Sequence, residues 1–172
     1  MKFIAIIPAR YASTRFPGKP LADMGGKPMI QRVYEQVKRA VYDVWVATDD
    51  SRIFETVKAF GGKAVMTSTD HRSGTDRIQE AYFKIGEDFD VVINVQGDEP
   101  FIQPEQIESL KECFDSKDVQ LATLVKPFKK EDGFDVLFNP NSPKVVINKE
   151  NEAIYFSRSI VPYIRAAHHT EW

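Results

Sequence analysis

The sequence predicts an α/β doubly wound fold, a mostly parallel sheet with helices on both faces, and two observations carry that prediction. Short, continuous, β-branched-rich apolar runs recur along the 172 residues, and segments of helical period separate them. Strands that do not alternate apolar with polar residues are those buried on both faces of a parallel sheet. Strand and helix in alternation give layers joined by right-handed crossovers.

The elements follow in order. Phe3-Ile4-Ala5-Ile6-Ile7 is the first strand. Pro28 suits a first helical turn, after which Met29, Ile30, Val33, Tyr34 and Val37 share one face. Val44-Trp45-Val46-Ala47 is the second strand. Asp50 or Ser51 can cap a helix carrying Ile53, Phe54, Val57 and Phe60, which Gly61-Gly62 would end. Ala64-Val65-Met66 is a weaker strand, and Ser73-Gly74-Thr75-Asp76-Arg77 leads into a helix bearing Ile78, Ala81 and Tyr82. Val91 to Val95 is the most hydrophobic strand, and Pro104 opens a helix with Ile107, Leu110 and Phe114 inward. Leu121-Ala122-Thr123-Leu124-Val125 reads as a further buried strand. Lys129 to Pro143, polar and rich in Asp, Asn and Pro, reads as a long loop. Lys144–Asn148 and Ala153–Phe156 then flank Lys149-Glu150-Asn151-Glu152 as a β-hairpin extension.

The length fits one domain spanning residues 1–172. With 23 Lys+Arg against 25 Asp+Glu, the net charge of −2 argues against nucleic-acid or membrane-surface partners. The single cysteine, Cys113, follows Leu110 in a helical pattern and reads as a packed or idle thiol; alone it forms no internal disulfide, which fits a reducing compartment. The first apolar run is too short for a membrane span and precedes no small-residue cleavage site, so a cytoplasmic protein is expected. His71, His168 and His169 have no other ligand at metal-site spacing, which disfavours zinc and a Ser-His-Asp machine.

Ligands of an open parallel sheet bind at the carboxyl ends of its strands, near the reversal of strand order. Three segments occupy such positions. Pro8 to Pro20 gathers Arg10, Arg15 and Lys19 with Ser13, Thr14 and Gly18, three cations plus small residues whose N–H groups can approach a polyphosphate. The two standard nucleotide loops fail: Ser13 and Pro20 break G-x-x-x-x-G-K-[ST], and no G-x-G-x-x-G occurs, which also disfavours a nicotinamide-linked oxidoreductase. In the second segment, Ser73, Gly74, Thr75 and Arg77 open a helix or offer donors to a base beside a glycine. In the third, Asn94-Val95-Gln96-Gly97-Asp98-Glu99-Pro100, Asp98 is placed to hold Mg²⁺ with phosphate oxygens and water, or to cap a helix. Asp49 and Asp50 are a rival carboxylate pair, which capping explains.

Seven motifs carry a further reading: IIPARYASTRFPGKPL at 6–21, GKPMI at 26–30, VATD at 46–49, SGTDR at 73–77, NVQGDEP at 94–100, ATL at 122–124 and YFSRS at 155–159. In this order they resemble the sugar-nucleotide cytidylyltransferases, in the wording of members that act on 3-deoxy-manno-octulosonate (Kdo). The resemblance implies Mg²⁺-dependent transfer of CMP from CTP to Kdo, releasing pyrophosphate, for lipopolysaccharide biosynthesis. It implies that Arg10, Arg15 and Lys19 neutralise the triphosphate and Asp98 holds the metal. Ser73, Gly74 and Arg77 would contact the cytidine, Gln96 the sugar, and Arg158 with Arg165 the Kdo carboxylate; Ser13 belongs with the substrate-binding loop. It also implies a homodimer, and a longer family member whose H-x-G-I-Y and G-x-D-T motifs are not in this sequence, so a carboxyl-terminal segment with a second metal ligand is expected to be missing. The alternatives are another CMP-sugar synthetase, such as one for N-acylneuraminate, and a CTP-binding fragment without turnover.

Overall fold

The structure is a computed structural model that describes residues 1–12, 16–116 and 118–163. It divides into two compact units, Met1–Ala122 and Thr123–Trp172. The first unit holds β1 (Phe3–Ala9), α1 (Met29–Lys38), β2 (Asp43–Thr48), α2 (Ser51–Ala59), β3 (Lys63–Met66), α3 (Gly74–Ile85), β4 (Val91–Asn94) and α4 (Pro104–Glu112). The four strands form one sheet in the order β3-β2-β1-β4, with every neighbouring pair parallel. The mostly parallel sheet expected from the apolar runs is therefore present, and the order reverses between β1 and β4.

Both faces of β1 are covered, which is why its run does not alternate. Ala5 and Ile7 pack with Ile30, Val33 and Val37 of α1, Ile53 and Val57 of α2, and Ile107 of α4. Ile4 and Ile6 pack on the opposite face with Ile78 and Ala81 of α3. Ile4, Ile6 and Ile7 are fully buried, each contributing about 1.5–3 kcal/mol through removal of its side chain from water.

The helix ends follow local chemistry. The Asp50 side chain accepts the Arg52 N–H at 2.9 Å and so caps α2. Ser73 Oγ accepts the Asp76 N–H at 3.1 Å and caps α3. At α4 the cap is Gln103, whose backbone N–H donates to Gln106 Oε1 at 2.9 Å, rather than Asp98 or Glu99.

Two expectations give way to the structure. Leu121–Val125 forms no strand, and Leu121, Leu124 and Val125 are exposed, Leu121 by 81%. A short apolar run specifies a strand only where a neighbouring ladder accepts it, and this one pairs with none of the described strands. The segment from Lys129 to Pro143 is not all loop: it contains a 3₁₀ turn at Lys130–Asp132 and α5 (Phe134–Phe138). The hairpin is as expected, with β5 (Lys144–Ile147) antiparallel to β6 (Ala153–Ser157). Cys113 is exposed rather than packed, its Sγ donating to Ser109 O at 3.3 Å. Among the described residues no helix is long and apolar enough to cross a membrane.

Candidate active site

The strand-order reversal brings two expected segments together. Gly97 follows β4 so close to β1 that a Cβ there would come 2.8 Å from Pro8 O, a contact with backbone that cannot give way cheaply. Only glycine therefore lets the chain leaving β4 run along the exit of β1. Gly74 brings the start of α3 to the same place, its would-be Cβ lying 3.3 Å from Pro8 Cγ. Pro8 is thus the point at which β1, β4 and α3 converge.

Two cavities share the wall made by Pro8, Ala9, Arg10 and Gln96. One, of about 180 Å³, continues along His71, Arg72, Ser73, Gly74 and Arg77 at the start of α3. The other, of about 510 Å³, continues along Phe16, Lys19, Pro20, Gly97 and Asp98. Arg10, Lys19, Ser73, Gly74, Arg77, Gln96 and Asp98 are therefore all brought to one region of the first unit.

On the larger side, Lys19 Nζ donates to Asp98 Oδ2 at 2.7 Å, and both side chains remain substantially exposed. Glu99 next to it lies above the usual carboxylate range, first through desolvation of its carboxyl and then through the Asp98 charge. Gln96 Nε2 donates to Asn94 Oδ1 at 3.0 Å. The donors fit a magnesium ion that is completed by substrate: one accessible carboxylate, with room beside it for phosphate oxygens and water. Among the described residues there is no group of three or more His, Cys, Asp or Glu able to form an all-protein metal cage.

The smaller side is more tightly bound. Arg77 is only 3% exposed; its Nη1 donates to Thr67 Oγ1 and its Nη2 to Asp49 Oδ2, each at 2.6 Å. Asp49 therefore anchors Arg77 instead of capping α2, a task that Asp50 performs alone. Nearby, Glu80 binds Lys84 at 2.6 Å, accepts the Ser68 N–H at 2.9 Å and contacts His71 Nε2. Lys84 first, then the Ser68 N–H and His71, lower the Glu80 carboxyl to about 2. His71 and Arg72 were not singled out for this cavity from the sequence. The signal that could have found them is their place immediately before Ser73, in the loop leaving β3.

The remaining expected residues fall elsewhere. Arg158 lies in the second unit, where its Nη1 donates to Pro140 O at 2.8 Å. Ser13, Arg15 and Arg165 lie outside the described residues.

With this geometry in view, the comparisons with known proteins are specific. The sequence profile of the cytidylyltransferase family matches residues 4–170. The chain belongs to the cytidylyltransferase family. It is 71% identical over 173 residues to a 3-deoxy-manno-octulosonate cytidylyltransferase of Parabacteroides distasonis, and 64% identical over 172 residues to that of Bacteroides thetaiotaomicron. Each alignment covers 100% of this chain and 69% of the relative. Among solved structures, a CMP:2-keto-3-deoxy-manno-octonic acid synthetase complexed with CTP matches with a TM-score of 0.85 and 46% identity, over 96% of this chain and 68% of that one. The family resemblance read from the motifs and the α/β fold read from the apolar runs are both confirmed by these findings.

Proposed function

We propose that the protein transfers the cytidylyl group of CTP to Kdo, giving CMP-Kdo and pyrophosphate. The observation that carries this reading is the pair of cavities meeting at Arg10 and Gln96, one bordered by donors and a helix start, the other by a lysine and a carboxylate, in a chain of the cytidylyltransferase family. The smaller cavity takes the cytidine and the larger the triphosphate.

In the reaction, the anomeric hydroxyl oxygen of Kdo attacks the α-phosphorus of CTP. The bond from that phosphorus to the bridging oxygen breaks, pyrophosphate leaves with that oxygen, and the hydroxyl proton passes to solvent. Such chemistry asks the protein mainly for positioning and charge neutralisation. Arg10 and Lys19 offset the charge of the triphosphate, Arg15 adding to them. Lys19 leaves Asp98 for phosphate oxygens, and Asp98 becomes free to hold Mg²⁺. That ion, when bound, polarises the α-phosphate and lowers the pKa of the attacking hydroxyl. Gln96 orients the sugar, and Arg158 with Arg165 takes its carboxylate, a role that rests on the family resemblance alone.

In this reading the reaction takes place in the cytoplasm, as the short first apolar run and single cysteine suggest, and it supplies lipopolysaccharide assembly through a homodimer, two features that rest on the family resemblance. Support for a self-association surface comes from β6, where Ile154, Tyr155 and Phe156 are each more than half exposed.

The test is pyrophosphate release from CTP, with and without Mg²⁺, adding Kdo, N-acetylneuraminate or no sugar. Release that needs both Kdo and the metal is expected. Release with N-acetylneuraminate in place of Kdo would reassign the sugar, and CTP binding without release would reduce the protein to a binding module.

A further inference from the structure

Arg52, in the first turn of α2, has no part in the chemistry above, yet its partly exposed guanidinium has defined partners. Nε donates to Asp50 Oδ1 at 2.9 Å and Nη2 to Asp50 Oδ2 at 2.6 Å, while the same Oδ1 caps the helix. A bidentate pair with a capping residue fixes the plane of the guanidinium as well as its position. That plane lies over the ring of Tyr11, with Cζ 3.3 Å from the ring centroid. Gly18 packs against the same ring. A Cβ on Gly18 would come 2.9 Å from Tyr11 Cε2, and the Gly18 N–H donates to Tyr11 O at 2.9 Å.

Tyr11 and Gly18 are the two ends of the cation loop. Arg10 immediately precedes one and Lys19 immediately follows the other. Gly18 also has a φ of 71°, a conformation that glycine adopts without strain, and it leads directly into the 3₁₀ turn that carries Lys19. The separation of the two cations is therefore set where Tyr11 meets Gly18, and Arg52 bears on that junction from α2.

We infer that Arg52 is a positioning residue for triphosphate binding: stacked on Tyr11 and fixed by Asp50, it holds the Tyr11–Gly18 junction so that Arg10 and Lys19 are presented together. This rests on the proposed CTP site. Without the stack, the junction is left with the Gly18 N–H bond to Tyr11 O and a ring no longer held from α2, and ordering it becomes a cost charged to binding. Of the two cations only Arg10 borders the cavity at the start of α3, and a nucleoside brings no phosphate charge for it to offset, so cytidine binding rests on the donors of α3.

The test is calorimetric titration of the full chain with CTP and, separately, with cytidine. Arg52→Ala and Tyr11→Leu are each expected to weaken CTP about tenfold, the scale of ordering a side chain on binding, while cytidine affinity stays unchanged. Tyr11→Phe, which keeps the ring, should bind CTP as the unmodified protein does. The double variant Arg52→Ala/Tyr11→Leu should lose no more than either single variant, because both act through one contact. Equal weakening of CTP and cytidine would reduce Arg52 to a general stabiliser and overturn the inference. So would unchanged CTP affinity in Arg52→Ala. If the unmodified protein binds cytidine but not CTP, or neither, the proposed function fails first, and the inference fails with it.

Discussion

The two cavities that meet at Arg10 and Gln96 hold their charges in opposite ways. On the side of α3, Arg77 is nearly inaccessible and both ends of its guanidinium are committed, to Thr67 and to Asp49. On the side of the cation loop, Lys19 and Asp98 hold each other, and water reaches both. The buried arginine ties the exits of β2 and β3 to α3, so it builds the wall against which a base can rest. The exposed pair can be parted by a ligand at small cost, which is what a site for a triphosphate and its metal needs. Neighbouring charges in one active site can thus serve as scaffold or as reagent, and burial distinguishes the two.

The strongest challenge to that contrast is removal of the buried cation. Arg77→Ala leaves the largely buried Asp49 carboxylate without its partner, and should cost about 3–5 kcal/mol of folding free energy in urea denaturation. A loss below about 1 kcal/mol, the range of exposed pairs, would erase the distinction. At the other cavity, Lys19→Ala and Asp98→Ala should each change folding free energy by less than about 1 kcal/mol while abolishing measurable pyrophosphate release. A variant that keeps near-normal turnover removes its residue from the site.

The smallest effect concerns acid. Glu80 lies at about 2 in the folded protein against an ordinary 4.5. Above pH 4.5 the carboxylate is ionised in both states, and the interactions that depress it contribute in full. As pH falls from 4.5 to 2 the unfolded chain takes up the proton first, so this contribution is lost across that window. Glu80→Gln should therefore show a shallower decline in stability between pH 4.5 and 2 than the unmodified protein, measured by denaturation at each pH. Parallel declines would show that Lys84, Ser68 and His71 do not hold Glu80 as described.

Much of the fold was legible because a few residues carried strong physical constraints. Phe3–Ile7 announced a strand by continuous burial, Val91–Val95 announced one by its β-branched run although Val92 and Asn94 are exposed, and Asp50 and Ser73 announced helix starts by their side-chain oxygens. Leu121–Val125 misled because hydrophobicity does not say whether a partner strand exists. The members of the site were legible from position after each strand, but their present partners were not. Nothing in the spacing of Asp49, Thr67 and Arg77 reveals that three separate segments converge on one guanidinium. Arg52 was equally silent, since its effect passes through an aromatic ring 41 residues away in sequence.

The contact between Gly97 and Pro8 O has a consequence for how such an enzyme can diversify. The span from the cavity at the start of α3 to the Asp98 carboxylate is fixed by main chain lying against main chain. Side chains farther along either cavity can change, and under the proposed function the admitted acceptor changes with them, while the distance between the two cavities stays constant. Selection acting on the acceptor can therefore proceed without recalibrating the donor, a division of labour that one missing Cβ makes possible.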